Sequence, residues 1–281
     1  MPEQDLIDET FDINSSLNYE LTMQISTAGF AYCILDTIRN RYVLLRSRDP
    51  DENKAMTAEK TEEIIISDSF LSARFKKTNL ILPSAKSTLV PSPLFDPLKK
   101  EEYFSLNLVK DENEIILYNK ITDPDAFVIF SVPEWLTDLT GRYFPSVKPC
   151  HHATSLIDQA MHLSRDEAGQ LVLVHLERDY FNLLVLERGS LKFYNTFVYK
   201  NMNDIMYYLF NVCKTLGVKR EENVWFSGLT SSHDELSSRV QEYLRNIKFM
   251  IPSGNFSFSY IFNSFEVHRY LSLFGISRCG L

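Results

Sequence analysis

Three short clusters of this chain carry side chains able to do chemistry. Cys150-His151-His152 has the ligand types of a zinc site. A metal needs its ligands to converge on one point, whereas neighbours along a strand or helix diverge, and no fourth ligand lies nearby in sequence. The run reads as a polar linker entering a helix. His233-Asp234-Glu235, after Ser231 and Ser232, could supply an acid and a base. Its spacing fits better the N-cap region of a helix, where first-turn acids face the positive end of the dipole. Glu177 and Asp179 could act as paired carboxylates, but they flank a hairpin turn, where exposed charge is ordinary.

The glycines exclude more than these clusters suggest. There are nine, at 29, 141, 169, 189, 217, 228, 254, 275 and 280. No two adjoin and none are separated by a single residue, which excludes a Walker A loop and a dinucleotide-binding fingerprint. No Gly-x-Ser-x-Gly elbow supports a hydrolase. No Cys-x-x-Cys pair supports a zinc ribbon or a thioredoxin-like site.

The elements that would position these residues follow from periodicity. Residues 1 to 18 read as an extended, partly mobile arm. Leu21, Met23 and Ile25 alternate with polar residues, FAYCILD and RYVLLRS follow, and short turns join the three as an antiparallel meander. A helix is predicted over 57–75, and strands at LILPS, STLVP, SLNLV, EIILYNKI and AFVIFSV. Pro133 opens a helix with Trp135, Leu136 and Leu139 on one face. A connecting helix spans 153–163. A second meander, QLVLVHLERDYFNLLVLERGSLKFYNTF, begins at Gln170, and its unbroken apolar run Leu171 to Val174 predicts a strand covered on both faces. A helix over 203–216, a strand at NVWFSG, a helix over 234–247 and a last helix capped by Asn263 and Glu266 complete the order. Phe256-x-Phe258-x-Tyr260 has strand period and is assigned to core packing. Meander, helix, strand, then further helix and strand thus occur twice. The division predicted is a first lobe over 1–163, including the arm and connecting helix, and a second over 164–281, hinged at 164–169.

Composition narrows the class. A net charge of −8 without clustered Lys and Arg disfavours nucleic acid as a partner. No apolar run approaches the ~20 residues that span a bilayer, and the acidic N-terminus lacks the layout of a signal peptide. Cys33, Cys150, Cys213 and Cys279 are scattered, as expected of reduced thiols in the cytoplasm. Cys279 is third from the end and misses the position that prenylation uses.

The two meanders, KSTLVPSPLFD (86 to 96), VPEWLTDLTGRYFP (132 to 145) and VWFSG resemble an uncharacterised Bacteroidetes family of unknown function. That family sits near the pilus-assembly and type II secretion members of the actin, Hsp70 and sugar-kinase superfamily. The resemblance covers nearly the whole chain. It implies an α/β fold made of two ribonuclease-H-like (actin/Hsp70-like) lobes. Active members of the superfamily hold ATP between the lobes, with Asp-x-Gly in the meander turns, a glycine-rich stretch after a late strand, and aspartates around Mg²⁺. Here the first turn is Ser26-Thr27-Ala28-Gly29, without a carboxylate. The second, His175 to Asp179, has carboxylates but no glycine. The late strand ends Ser227-Gly228-Leu229, with one glycine where a pair is expected. The expectation is therefore a degenerate nucleotide site with no cofactor, no metal and no catalytic residues, in a cytoplasmic module that binds a protein partner. The alternative is a divergent ATP-binding phosphotransferase or ATPase using Thr27, Gly29, Glu177, Asp179 and Gly228. A structural homodimer is a third possibility.

Overall fold

A computed structural model describes residues 4–50, 54–231 and 234–276. The chain opens with a short strand, β1 (Gln4–Ile7), and then forms the first meander: β2 (Tyr19–Ser26), β3 (Gly29–Asp36) and β4 (Arg41–Arg48). Helix α1 (Ala58–Ser67) and strand β5 (Lys77–Ile81) follow. An insert comes next, made of β6 (Ser87–Pro91), α2 (Lys100–Ser105), β7 (Glu114–Ile121), β8 (Ala126–Pro133) and α3 (Glu134–Tyr143). Strand β9 (Pro149–Cys150) and helix α4 (His152–Ser164) lead into the second meander, β10 (Gln170–Leu176), β11 (Tyr180–Glu187) and β12 (Ser190–Val198). After it come α5 (Met202–Thr215), β13 (Asn223–Gly228), α6 (Glu235–Gln241) and β14 (Asn246–Phe249). The C-terminal stretch adds β15 (Ser257–Phe258) and α7 (Leu271–Gly275).

The repetition read from the sequence is a repetition in space. The first sheet contains the order β4-β3-β2-β5-β9, and the second has the order β12-β11-β10-β13-β14. In each, an antiparallel meander is followed by two parallel strands on the far side of its first strand. The molecule is a mixed α/β protein of two like lobes. A three-stranded sheet, β6-β8-β7, is inserted between β5 and β9 of the first lobe. Among the described residues no helix is long and apolar enough to cross a membrane.

Burial on both faces explains the apolar runs. In β3, Phe30, Tyr32 and Ile34 pack toward α1 and α3, while Cys33 and Leu35 on the other face meet the C-terminal stretch. In β10, Val172 and Val174 pack against α5, while Leu171 and Leu173 meet α4. Helix α4 is buried along nearly all its length, because it lies between the second sheet, β8 and α7.

The C-terminal stretch crosses back to the first sheet. Strand β15 pairs with β4, and Phe262, Leu273 and Phe274 join one cluster with Cys33, Tyr42 and Leu45. The Tyr42 hydroxyl donates to the Phe274 carbonyl at 2.7 Å. Burying Phe274 contributes about 1.5–3 kcal/mol relative to leaving it exposed, so this crossing ties the lobes together firmly.

Several local expectations are corrected. The N-terminal arm is anchored: β1 pairs with β4 from Gln4↔Ser47 to Ile7↔Leu44. The helix predicted over 57–75 stops at Ser67, and Asp68 instead binds Arg46 at 2.8 Å and accepts from the Tyr32 hydroxyl at 2.6 Å. SLNLV is not a strand; α2 ends at Ser105, and Leu106 and Val109 are exposed. The helix predicted over 234–247 ends at Gln241. There the Arg220 guanidinium takes the Glu242 and Tyr243 carbonyls, and Asn246 to Phe249 becomes a parallel partner of β13. Asn263 and Glu266 cap no long helix; 3₁₀ turns at Tyr260–Phe262 and Val267–Tyr270 precede the short α7.

Candidate functional site

The two lobes enclose a cavity of about 540 Å³. Its walls come from equivalent places in the two sheets. The first lobe supplies Gln24 and Ser26 at the end of β2, Gly29 at the start of β3, and Ser47 and Asp49 at the end of β4. The second supplies Glu177 and Arg178 from the β10–β11 turn and Leu229 after β13. Tyr270, from the C-terminal stretch, closes one side.

Of the five residues singled out for a nucleotide site, Gly29 and Glu177 line this cavity. Thr27 and Asp179 are exposed at the tips of their turns and do not. Gly228 lies behind Leu229, paired with Leu176 in the β10–β13 ladder. Sequence reasoning missed Asp49, Arg178 and Tyr270. Asp49 had a signal: Phe30 pairs with Arg48, so counting the meander register places residue 49 beside Gly29. Tyr270 had none, since it reaches the site from more than 200 residues away along the chain, donating to Ser47 Oγ at 3.0 Å.

The backbone donors that edge the cavity are largely occupied. The Ala28 N–H donates to Ser26 Oγ at 3.1 Å. The Glu177 N–H donates to the Tyr180 carbonyl at 2.9 Å, the Leu229 N–H to Leu176 at 2.8 Å, and the Thr230 N–H to Gly228 at 2.8 Å. The Arg178 guanidinium donates to the Lys54 carbonyl at 3.2 Å and so bridges to the first lobe. Gln24 Oε1 accepts from Ser272 at 2.7 Å. Replacing Tyr270 with phenylalanine removes one strap across the cavity wall. Urea unfolding is expected to show a loss of about 1 kcal/mol; an unchanged midpoint would place the strap's stability elsewhere.

Behind the Glu177 wall lies a polar layer that the sequence presented as surface. His151 and His152 are fully buried, not part of a polar linker. Their rings lie 4.2 Å apart, and the His152 and His175 rings 6.0 Å apart. Asn182 Nδ2 donates to Thr196 Oγ1 at 2.8 Å, which turns its Oδ1 toward His152 at 2.7 Å. His152 Nε2 therefore carries the proton, and Nδ1 has no hydrogen-bond partner among the described residues. His151 Nδ1 accepts from the Ala153 N–H at 3.3 Å, so its Nε2–H donates to the Ser84 carbonyl at 3.1 Å. His175 bridges Ser227 Oγ at 2.8 Å and Glu177 Oε1 at 3.3 Å. His151 and His152 are neutral in these roles. Burial holds His151 well below the usual histidine range, reinforced by the His152 ring. Burial likewise pushes His152 down to about 4.

The remaining clusters resolve into structure. Cys150 Sγ lies 3.4 Å from the Leu80 carbonyl, and burial raises no site around it: among the described residues no three His, Cys, Asp or Glu side chains are grouped to hold a metal ion. Asp234 is itself the N-cap of α6, accepting from the N–H groups of Ser231 and Ser237 at 2.8 Å each and from the Thr230 hydroxyl at 2.6 Å. Burial would raise its carboxyl, yet these bonds hold it below the usual range. Ser232 and His233 lie outside the described residues, as does Cys279.

No curated protein matches the chain significantly. Among solved structures, a Bacteroides thetaiotaomicron protein with an actin-like ATPase fold and unknown function is similar over 94% of this chain and 99% of its own. Its identity is 23% and its TM-score 0.79. A PilM–PilN type IV pilus biogenesis complex is similar over 92% of this chain and 96% of the matched chain, at 11% identity and a TM-score of 0.55. At such identities the likeness defines the fold, which is that of the actin-like ATPases. A family model described as "Protein of unknown function (DUF3822)" matches residues 8–247, and the chain belongs to that family.

Proposed function

We propose that this protein is an actin-like module that has given up nucleotide and works by binding another protein. The observation that carries the reading is the occupied backbone around the cavity. A triphosphate needs N–H groups turned toward it and no Cβ in the way, but the N–H groups of Ala28, Glu177 and Leu229 already donate within the protein. Gly228 serves another purpose: an added Cβ there would fall on the Leu176 carbonyl oxygen. Asp49 and Glu177 face the cavity and the Arg178 guanidinium donates to the Lys54 carbonyl, so the reading rests on the occupied N–H groups and not on the charge of the walls. Phosphotransfer through Thr27, Gly29, Glu177, Asp179 and Gly228 would need those groups around one point, and only two of them line the cavity.

A chain of this fold occurs in the PilM–PilN type IV pilus biogenesis complex, which supports a role in assembly. Cys33, Cys150 and Cys213 are buried, unbridged thiols, in keeping with work in the cytoplasm. Calorimetry with Mg-ATP tests the reading. No saturable heat is expected up to about 1 mM nucleotide; micromolar binding, or measurable hydrolysis, would overturn it.

A further inference from the structure

Helix α4 begins where the first lobe, its insert and the second lobe meet, and two histidines fill that joint. His151 reaches into the first lobe and the insert. Its Nε2–H donates to the Ser84 carbonyl at 3.1 Å, its backbone N–H donates to Asn119 Oδ1 of β7 at 2.6 Å, and its ring lies 4.7 Å from that of Phe130 in β8. His152 reaches into the second lobe, toward Asn182 of β11 and the His175 ring of β10.

Neither ring has a place for a second proton. His151 is the N-cap of α4, and its Nδ1 accepts the Ala153 N–H at 3.3 Å. A proton on that nitrogen turns the acceptor into a donor, removes the cap, and sets a positive charge at the positive end of a 13-residue helix. His152 already donates through Nε2, so its second proton goes to Nδ1, which is buried and meets no acceptor among the described residues. The surroundings offset this only in part. Glu177, in the turn after β10, favours a charged His152, and His175 opposes it. Burial raises the phenols of Tyr180 on β11 and Tyr194 on β12, so both stay neutral. Toward His151, β7 and β8 present the uncharged Asn119 and Phe130, and α7 carries no titratable side chain.

The joint around these rings can part without undoing either lobe. Among the described residues no strand of the insert sheet pairs with the second sheet. The insert meets the second lobe through the Ser87–Tyr194 hydroxyl pair at 2.8 Å, the exposed Arg165–Asp123 ion pair, and Leu89, Ile121 and Val128 packed with α4. Local openings of this kind cost less free energy than global unfolding. We propose that the N-terminus of α4 is an acid-sensitive latch: a proton on either histidine favours an open form in which the insert and the second lobe part at this joint while both sheets stay folded. His175 lies beside His152 and contacts Glu177, so the latch adjoins the wall of the inter-lobe cavity.

Hydrogen–deuterium exchange of the full chain at about pH 7.5 and about pH 5.5, with times matched for the intrinsic pH dependence of exchange, tests the latch. In the open form the rings titrate near 6.5, whereas the closed form holds His152 at about 4. Acid is therefore expected to raise the opening constant about tenfold through His152, and His151 adds in the same direction. The N–H groups of His151, Ala153 and Thr154 report it, since all three are bonded at the joint. Leu21 to Ile25 of β2 and Val224 to Phe226 of β13 are expected to keep their protection. His151→Asn retains a capping acceptor, and His152→Gln retains a donor for Asn182; together they are expected to abolish the acid effect. Where the double variant fails to fold, His152→Gln alone is expected to remove about tenfold of it. No loss of protection at the joint, or a loss that these substitutions leave unchanged, would overturn the proposal. A loss spread evenly over both sheets would overturn it as well, by assigning the acid effect to global unfolding.

Discussion

Gly228→Ala is expected to cost on the order of 4 kcal/mol of folding stability, with no ligand present. Gly228 has φ 79°, a left-handed conformation that costs an L-residue about 1–2 kcal/mol. The new methyl would also land on the Leu176 carbonyl oxygen, with the Leu176 carbonyl carbon and nitrogen each 2.9 Å away. None of those atoms belongs to a flexible side chain. Leu176 and Gly228 are partners in the parallel β10–β13 ladder, and the same carbonyl accepts from Leu229. Relief would therefore require parting the ladder where the second lobe meets the cavity. Gly29 provides the contrast: an added Cβ meets the Arg48 carbonyl oxygen and Asp49 Oδ1 at 3.2 Å, contacts relieved by a shift of a few tenths of an ångström, so the cost is mainly that of its φ of 157°. Gly29→Ala should cost about 2 kcal/mol. Urea unfolding of both variants decides the matter. Equal, small losses would mean that Gly228 is not needed for the ladder and is available to a ligand, which would weaken the nucleotide-free reading.

How much of this was legible beforehand depended on the range of the interactions. The meanders were readable because their turns are short and their strands pair with sequence neighbours, and the run Leu171 to Val174 announced its two covered faces. The sequence of α6 and β14 misled for a definite reason. Leu236, Val240, Leu244 and Ile247 have helical spacing, but Ile247 pairs with Val224 across the sheet, and Arg220 draws off the carbonyls that would continue the helix. The cavity was half legible. Its isolated glycines could be counted, whereas Asp49 needed the strand register, and Tyr270 needed a crossing of the C-terminal stretch that no local pattern marks. Cys150-His151-His152 was misread because polar types usually face water, and the partners that make their burial tolerable, Ser84, Asn119 and Asn182, lie some 30 to 67 residues away.

Those buried histidines lead to the second large effect, a loss of stability between pH 8 and pH 5. In the unfolded chain each titrates near 6.5. In the folded protein burial holds His151 well below that value and His152 at about 4. The unfolded state therefore binds more protons as the pH falls, and the stability these rings allow, complete above about pH 7.5, declines through 6.5 and continues to fall toward 4. At 1.36 kcal/mol per pK unit, His152 lowers stability by about 2 kcal/mol at pH 5, and His151 adds to the loss in the same direction. His175 and Tyr180 pack beside His152, Asn119 accepts from the His151 N–H, and Glu177 is the one carboxylate in the layer that opposes the trend by favouring a charged ring. The buried caps Asp8 and Asp234 fall outside this window: hydrogen bonds hold both below their ordinary range despite burial, so their protonation belongs to lower pH. Urea midpoints from pH 8 to 5 should fall steeply, and His152→Gln, which keeps a donor for Asn182, should make the slope shallower by about one proton. A flat profile, or an unaltered slope in the variant, would mean that the rings reach solvent and that the layer behind Glu177 opens far more readily than its packing implies.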